Sequence, residues 1–222
     1  MKRLILSAPI YVALCFCCTG GAHTQTEDAP KIELGVLFSS LSIIEPPFGG
    51  TRTEPGFGGR FTYNLTNHVA LEAEGNFFPR NDRSFSAAAG GNLAQAQFGV
   101  KAGKRFEKFG VFGKARPGFV SFSNALEEIN FTTTGPPGQE GFIPVPHFGR
   151  RTYFAGDVGV VFEFYPSRRI VTRFDFGDTI IRYGKRDGAI FYGTPGTPPT
   201  VFDQPAETTH NFQFSAGIGF RF

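Results

Sequence analysis

Tryptophan is absent from this chain, methionine occurs once, and the three cysteines (Cys15, Cys17, Cys18) crowd into its first segment. The remainder has no thiol for a disulfide, which excludes the small secreted folds that replace a core with crosslinks. No apolar run reaches the about 20 residues of a helical membrane span. Charged residues make up 18%, lean for a soluble domain, and the formal charge of +3 is too small to indicate a nucleic-acid partner. Present instead are 28 phenylalanines and 29 glycines among 222 residues, a composition that argues against a helical bundle.

The first segment has the grammar of a secretory signal. Lys2 and Arg3 precede a mostly apolar run over 4–18, and Gly20, Gly21 and Ala22 supply small residues for cleavage before His23. Leu14, Phe16 and Cys17 stand where a lipoprotein signal carries Gly or Ala ahead of its cysteine, which disfavours a lipid anchor. Without Lys2 and Arg3 the chain has 20 basic and 19 acidic residues, so the pI near 8.8 does not mark a basic surface. We therefore divide the sequence into a cleaved signal (1–22), a flexible polar lead (23–30) and one domain (31–222).

That domain alternates apolar and polar residues with period two, the pattern of half-buried strands. Eight runs follow it: 31–43, 56–65, 69–78, 94–106, 109–122, 152–164, 170–183 and 210–222. Their connections alternate in length. Those at 66–68, 107–108 and 165–169 are short; those at 44–55, 79–93, 123–151 and 184–209 are long. The long ones carry clusters such as Pro46-Pro47, Gly135-Pro136-Pro137 and Pro198-Pro199, which predict surface loops that do not extend the strand ladder far. An up-and-down meander with one tight and one decorated rim gives this rhythm, and an even strand count brings both termini to the tight rim.

Between the apolar side chains lie thirteen charges: Glu33, Arg60, Glu72, Glu74, Lys101, Arg105, Lys114, Arg116, Asp157, Glu163, Arg173, Asp175 and Arg221. Six are acidic and seven basic, so they nearly cancel. Alternation alone allows a membrane barrel with these charges in its lumen or a soluble barrel with them outside. The loop rhythm, the strand lengths, the lack of disulfides and Trp, and Phe placed near strand ends favour the membrane barrel. The fold class expected is all-β, an eight-stranded antiparallel up-and-down transmembrane β-barrel. Its interior is just wide enough for side chains to fill, and buried charges there need partners. Glu72 and Glu74 are expected to meet Arg60, Lys101 or Arg105. Asp157 and Glu163 are expected to meet Lys114, Arg116 or Arg173, and Asp175 to meet Arg221.

The final run places Phe212, Phe214, Ile218, Phe220 and Phe222 in alternation and closes on an aromatic residue. With these residues the domain resembles the small outer-membrane β-barrels of the OmpA/OmpX-like class. The resemblance covers 31–222 and implies a bacterial outer-membrane location, lipid around the barrel, and recognition of the terminal strand by the barrel assembly machinery. The peptidoglycan-binding domain of larger members has no counterpart, so wall anchoring is not implied.

Chemistry is hard to find. His23, His68, His147 and His210 have no nucleophile at a fitting spacing, no metal-ligand pattern occurs, and no cofactor is expected. Asp175-Phe176-Gly177 lacks every other kinase signature and reads as strand. Aromatic residues in the third and fourth long loops (Phe131, Phe142, Phe148, Phe202) are candidate contacts for an extracellular ligand, or cover for the barrel mouth. The expected function is a non-enzymatic, monomeric structural or surface-interaction protein acting through its outer loops. The alternatives are a narrow pore for small solutes or ions and a soluble ligand-binding barrel; no nucleic-acid partner is expected.

Overall fold

The computed structural model describes residues 30–45, 50–80, 89–135, 141–191 and 200–222, with 186–191, 201 and 202 described by backbone alone. The signal, residues 23–29 and the proline clusters at 46–47, 136–137 and 198–199 lie outside the described residues.

Among the described residues ten strands follow one another: β1 (Ile32–Glu45), β2 (Gly50–Asn64), β3 (Val69–Phe78), β4 (Leu93–Arg105), β5 (Phe109–Thr134), β6 (Gly141–Ser167), β7 (Ile170–Tyr183), β8 (Arg186–Phe191), β9 (Thr200–Gln204) and β10 (Glu207–Arg221). Eight of them form a closed antiparallel barrel in the order β1-β10-β7-β6-β5-β4-β3-β2. Each barrel strand pairs with the next barrel strand along the chain, β7 with β10 across the β8–β9 insertion, and the ring shuts where β1 meets β10, from Glu33 opposite Arg221 to Leu41 opposite Gln213. The remaining pair, β8 and β9, is a separate hairpin inside the last long connection. The sequence predicts only loop over these residues, and the structure adds this hairpin within them.

Two long connections are shorter than the sequence suggested. Most of 44–55 is strand, with Ser40 opposite Pro55. Most of 123–151 is a two-stranded arm in which β5 and β6, 26 and 27 residues long, continue past the barrel. Proline did not stop the ladder because of where it falls. Pro144 and Pro146 lie opposite Phe131 and Ile129, two residues apart on β6. A residue without an N–H fits only a pair that exchanges no hydrogen bond, so the missing donors lie on the outer edge of the arm. The arm leaves the barrel at two register shifts, between Phe122 and Ala125 and between Leu126 and Glu128. Such bulges bend a strand.

Some strand neighbours pinch tightly. A Cβ added to inward-facing Gly99 or Gly159 would lie 2.1 Å from a carbonyl oxygen of the next strand, of Ala115 and Phe176 respectively. Only glycine fits at these two positions.

Candidate functional site

The alternation sorts side chains by polarity, and the sorting is inverted relative to a soluble protein. Twelve of the thirteen alternating charges are buried inside the ring, and Arg105 nearly so. The large apolar side chains face outward: Val36 is 66% exposed, Phe98 60% and Phe212 57%.

The outward face has measurable limits. On β5, β6 and the last strand the apolar band runs from Phe109 to Phe119, from Phe164 to Phe154 and from Phe222 to Phe212. Ten residue steps at about 3.4 Å, tilted by about 40°, give a band of about 26 Å, close to the apolar height of known transmembrane barrels. Aromatic pairs mark its edges. Near the long-loop end Phe57 meets Phe77 at 5.9 Å and Phe119 meets Phe154 at 6.0 Å. Near the short-turn end Phe106 stacks on Phe109 at 4.5 Å and Phe164 meets Phe174 at 6.2 Å. Beyond the upper edge outward positions turn hydroxylic, with Ser42 bonded to Thr53 (2.9 Å) and Thr152 to Ser121 (3.1 Å).

The lumen is filled in three tiers. The charged tier lies toward the short turns. Arg173 clasps Glu72 through two nitrogens and Asp175 at 2.7 Å. Arg116 reaches Glu74 and Asp157, each at 2.5 Å. Lys114 meets Asp157 at 2.8 Å, Lys101 pairs with Glu163, and Arg60 approaches Asp175 at 3.4 Å. At the bottom Glu33 receives Asn64 (2.9 Å), Arg221 (3.4 Å) and Arg105 (3.5 Å). Tyr165 donates to Glu163 at 2.8 Å, accepts from Arg105 at 3.0 Å, and lies under the Arg221 guanidinium. Every charge of the thirteen has an opposite partner, which is what a buried ionic cluster requires.

Above it comes a neutral tier. Gln95 and Gln213 exchange hydrogen bonds (3.0 and 3.2 Å), Gln213 also donates to Ser39, and Ser39 meets Ser215 at 2.8 Å. Thr179 donates to Gln213 and Asn76 to Gln95. The third tier closes the long-loop end with buried apolar side chains, among them Leu41, Ile43, Phe78, Leu93, Phe122, Tyr153, Ile181 and Tyr183. Arg80 is sunk beside it, bonded to Glu45 (2.7 Å), Glu54 (3.0 Å) and the Ala89 carbonyl (2.6 Å), with its guanidinium over Phe122.

Several expected pairs form as anticipated. Glu72 meets Lys101 at 3.5 Å, and Asp157 meets both Lys114 and Arg116. Others differ. Glu74 turns to Arg116 rather than to Arg60, Lys101 or Arg105, and Glu72 to Arg173 across the lumen. The expected Asp175–Arg221 pair is replaced by Asp175 with Arg173, Arg60 and Lys114, and Arg221 with Glu33. Register explains this: Asp175 lies opposite Ser215, well above Arg221 on the same strand.

The terminal-strand residues Phe212, Phe214, Ile218, Phe220 and Phe222 line the outward face. Phe131 and Phe142 sit half-buried on the arm and Phe148 is exposed near its base, whereas the side chain of Phe202 lies outside the described residues. Sequence reading missed the amide tier, the apolar tier and Arg80. Gln95, Gln97 and Gln213 share the parity of the lumen charges and were legible by it. His210 also gains a partner, with Nδ1 2.6 Å from Asp178 on the outward face. Phe212, not a hydroxyl, occupies the next outward position along its strand.

A closed antiparallel ring with an apolar outside and an ionic inside is a small transmembrane β-barrel of the outer-membrane type. The chain is similar to solved structures of that kind. Neisserial surface protein A is 12% identical, with a TM-score of 0.47, covering 88% of this chain and 100% of that one. The attachment invasion locus protein Ail of Yersinia pestis is 14% identical, with a TM-score of 0.46, covering 87% and 99%. The outer membrane protein OprG of Pseudomonas aeruginosa is 12% identical, with a TM-score of 0.46, covering 89% and 98%. No family model and no curated protein sequence matches the chain.

Proposed function

We propose that this protein is a non-conducting, non-enzymatic barrel of the bacterial outer membrane, and that it works at the cell surface through the β5–β6 arm and the β8–β9 hairpin. The observation that carries this reading is the lumen. An ion crossing it would have to part side chains that already neutralise one another, then pass the apolar tier. The arm, by contrast, holds Ile143 and Val145 exposed on a paired ladder well above the apolar band. Apolar side chains carried on an already paired backbone favour binding because less ordering entropy is lost.

The test is single-channel recording of the refolded barrel in a planar bilayer, with folding verified by heat-shifted gel mobility. Silence is the expected result. Reproducible discrete steps would overturn the reading in favour of a narrow pore. A monomer is expected in both cases.

Biogenesis is proposed to use the outward aromatic row of β10 as its recognition signal. Phe222→Ser is then expected to reduce assembled barrel in cells severalfold while leaving refolding into pure lipid vesicles unchanged. Equal loss in both settings would assign the effect to stability instead.

A further inference from the structure

The charges that the lumen does not use are unevenly placed. At the short-turn end, Lys104 and Lys108 flank the β4–β5 turn, Arg168 and Arg169 form the β6–β7 turn, and Lys31 precedes β1; all five are exposed. The one exposed carboxylate among the described side chains of this rim is Glu107. At the opposite end the described charges are mixed: Arg150, Arg151, Arg182 and Lys185 stand among Glu127, Glu128, Asp203 and Glu207.

The rim cations form one arc. The Lys108 carbonyl accepts from the Tyr165 amide at 2.9 Å, which ties the β4–β5 turn to the end of β6. The Arg169 carbonyl accepts from the Arg221 amide at 2.8 Å, and Phe222 bonds in turn to Ile32, beside Lys31. The arc thus runs along the barrel base from β4 to β1, held by backbone bonds. It lies immediately below the aromatic edge made by Phe106, Phe109, Phe164 and Phe174. Lys104 spans the two zones, its ammonium 5.3 Å from the Phe106 ring centre. A long cationic side chain over an aromatic ring at this depth keeps its stem in apolar surroundings and its head among polar groups.

We propose that this arc binds anionic phospholipid headgroups of the leaflet at the short-turn side, holding a lipid annulus enriched in phosphatidylglycerol-type lipids. The inference rests on the transmembrane reading and goes beyond it by naming a lipid class and a side. A membrane surface fits better than an acidic protein because the cations follow the barrel's perimeter at one depth instead of gathering in a pocket. Each basic group beside an anionic surface is worth roughly a fivefold preference at low salt, and screening removes it.

The absence of Trp allows a direct test. Phe109→Trp places a single indole at the aromatic edge beneath which the arc lies. The variant is refolded into phosphatidylcholine vesicles containing phosphatidylglycerol, with one or the other lipid brominated to quench the indole. The expected result is at least fivefold preferential quenching by brominated phosphatidylglycerol, abolished in 0.5 M salt (about a 4 Å screening length). The preference should also vanish in the Lys104→Gln, Lys108→Gln, Arg168→Gln, Arg169→Gln variant, whose lumen is untouched and whose folding the gel shift reports. Equal quenching by both lipids, or a preference that survives the four substitutions, would overturn the lipid arc alone. No quenching by either lipid would mean that the barrel does not insert, which overturns the transmembrane reading and the arc together.

Discussion

Replacing Arg173 by Met is expected to destabilise the folded barrel by about 3–5 kcal/mol, the usual cost of removing one member of a buried ionic cluster. Arg173 is fully buried and touches Glu72, Glu163 and Asp175. Its loss takes one counter-charge from each of these three acids where water cannot easily reach them, leaving Glu72 to Lys101 and Arg116, Glu163 to Lys101 and Arg105, and Asp175 to Arg60 and Lys114. The cost lies in the under-neutralised acids and not in the vanished guanidinium, so the double variant Arg173→Met, Glu72→Gln should recover part of it. Urea midpoints of vesicle-inserted protein, read by heat-shifted gel mobility, measure both. A double variant no better than the single one would show that the cluster is not energetically coupled in this way.

On the other side of the same wall, Val160→Arg should cost about 2–4 kcal/mol in a bilayer, because Val160 points outward midway between the two aromatic edges of β6. Thr152→Arg, on the same strand but above Phe154, should cost about 0–1 kcal/mol. The contrast matters more than either value. In a water-soluble barrel both positions would be exposed surface and both substitutions nearly neutral. Equal, small effects at the two sites would therefore count against membrane insertion, and a steep depth dependence would support it.

Much of this architecture was legible before any coordinates, and the reason is parity. A strand has two faces, so alternation tells which residues share one. That was enough to separate Glu72 and Glu74 from Leu71 and Ala73, and to place all thirteen charges on one side of the sheet. Parity does not tell who lies across the lumen. Glu72 and Arg173 are 101 residues apart, on strands that touch only through the interior. Nor does it fix register where a long connection intervenes. Between β7 and β10 the connection leaves register free, which is why Asp175 and Arg221 looked like neighbours and are not. The arm was missed for a different reason. Proline predicts a break in a ladder, whereas Pro144 and Pro146 occupy edge positions where no donor is needed. Arg80 was hidden because a cation in a loop carries no periodic signal.

The meeting of β1 with β10 bears on the order of folding. Ser39 and Ser215 are 176 residues apart, and Gln213 reaches Ser39 over 174. Neither bond can form until the whole ring of strands is in place. Until then the two seam strands each present an open row of amides and carbonyls, which hydrocarbon does not tolerate. The partly built sheet also leaves Arg173 without Glu72, which it meets across the interior. Pairs on one strand or on neighbours, such as Arg116 with Asp157 and Arg173 with Asp175, need no closed ring, whereas the Arg173–Glu72 pair between β7 and β3 needs the sheet to have curled. A barrel arrested before closure would be exposed along two edges, Glu33 to Leu41 on β1 and Gln213 to Arg221 on β10, and those edges are where a chaperone or an assembly factor would have to hold it.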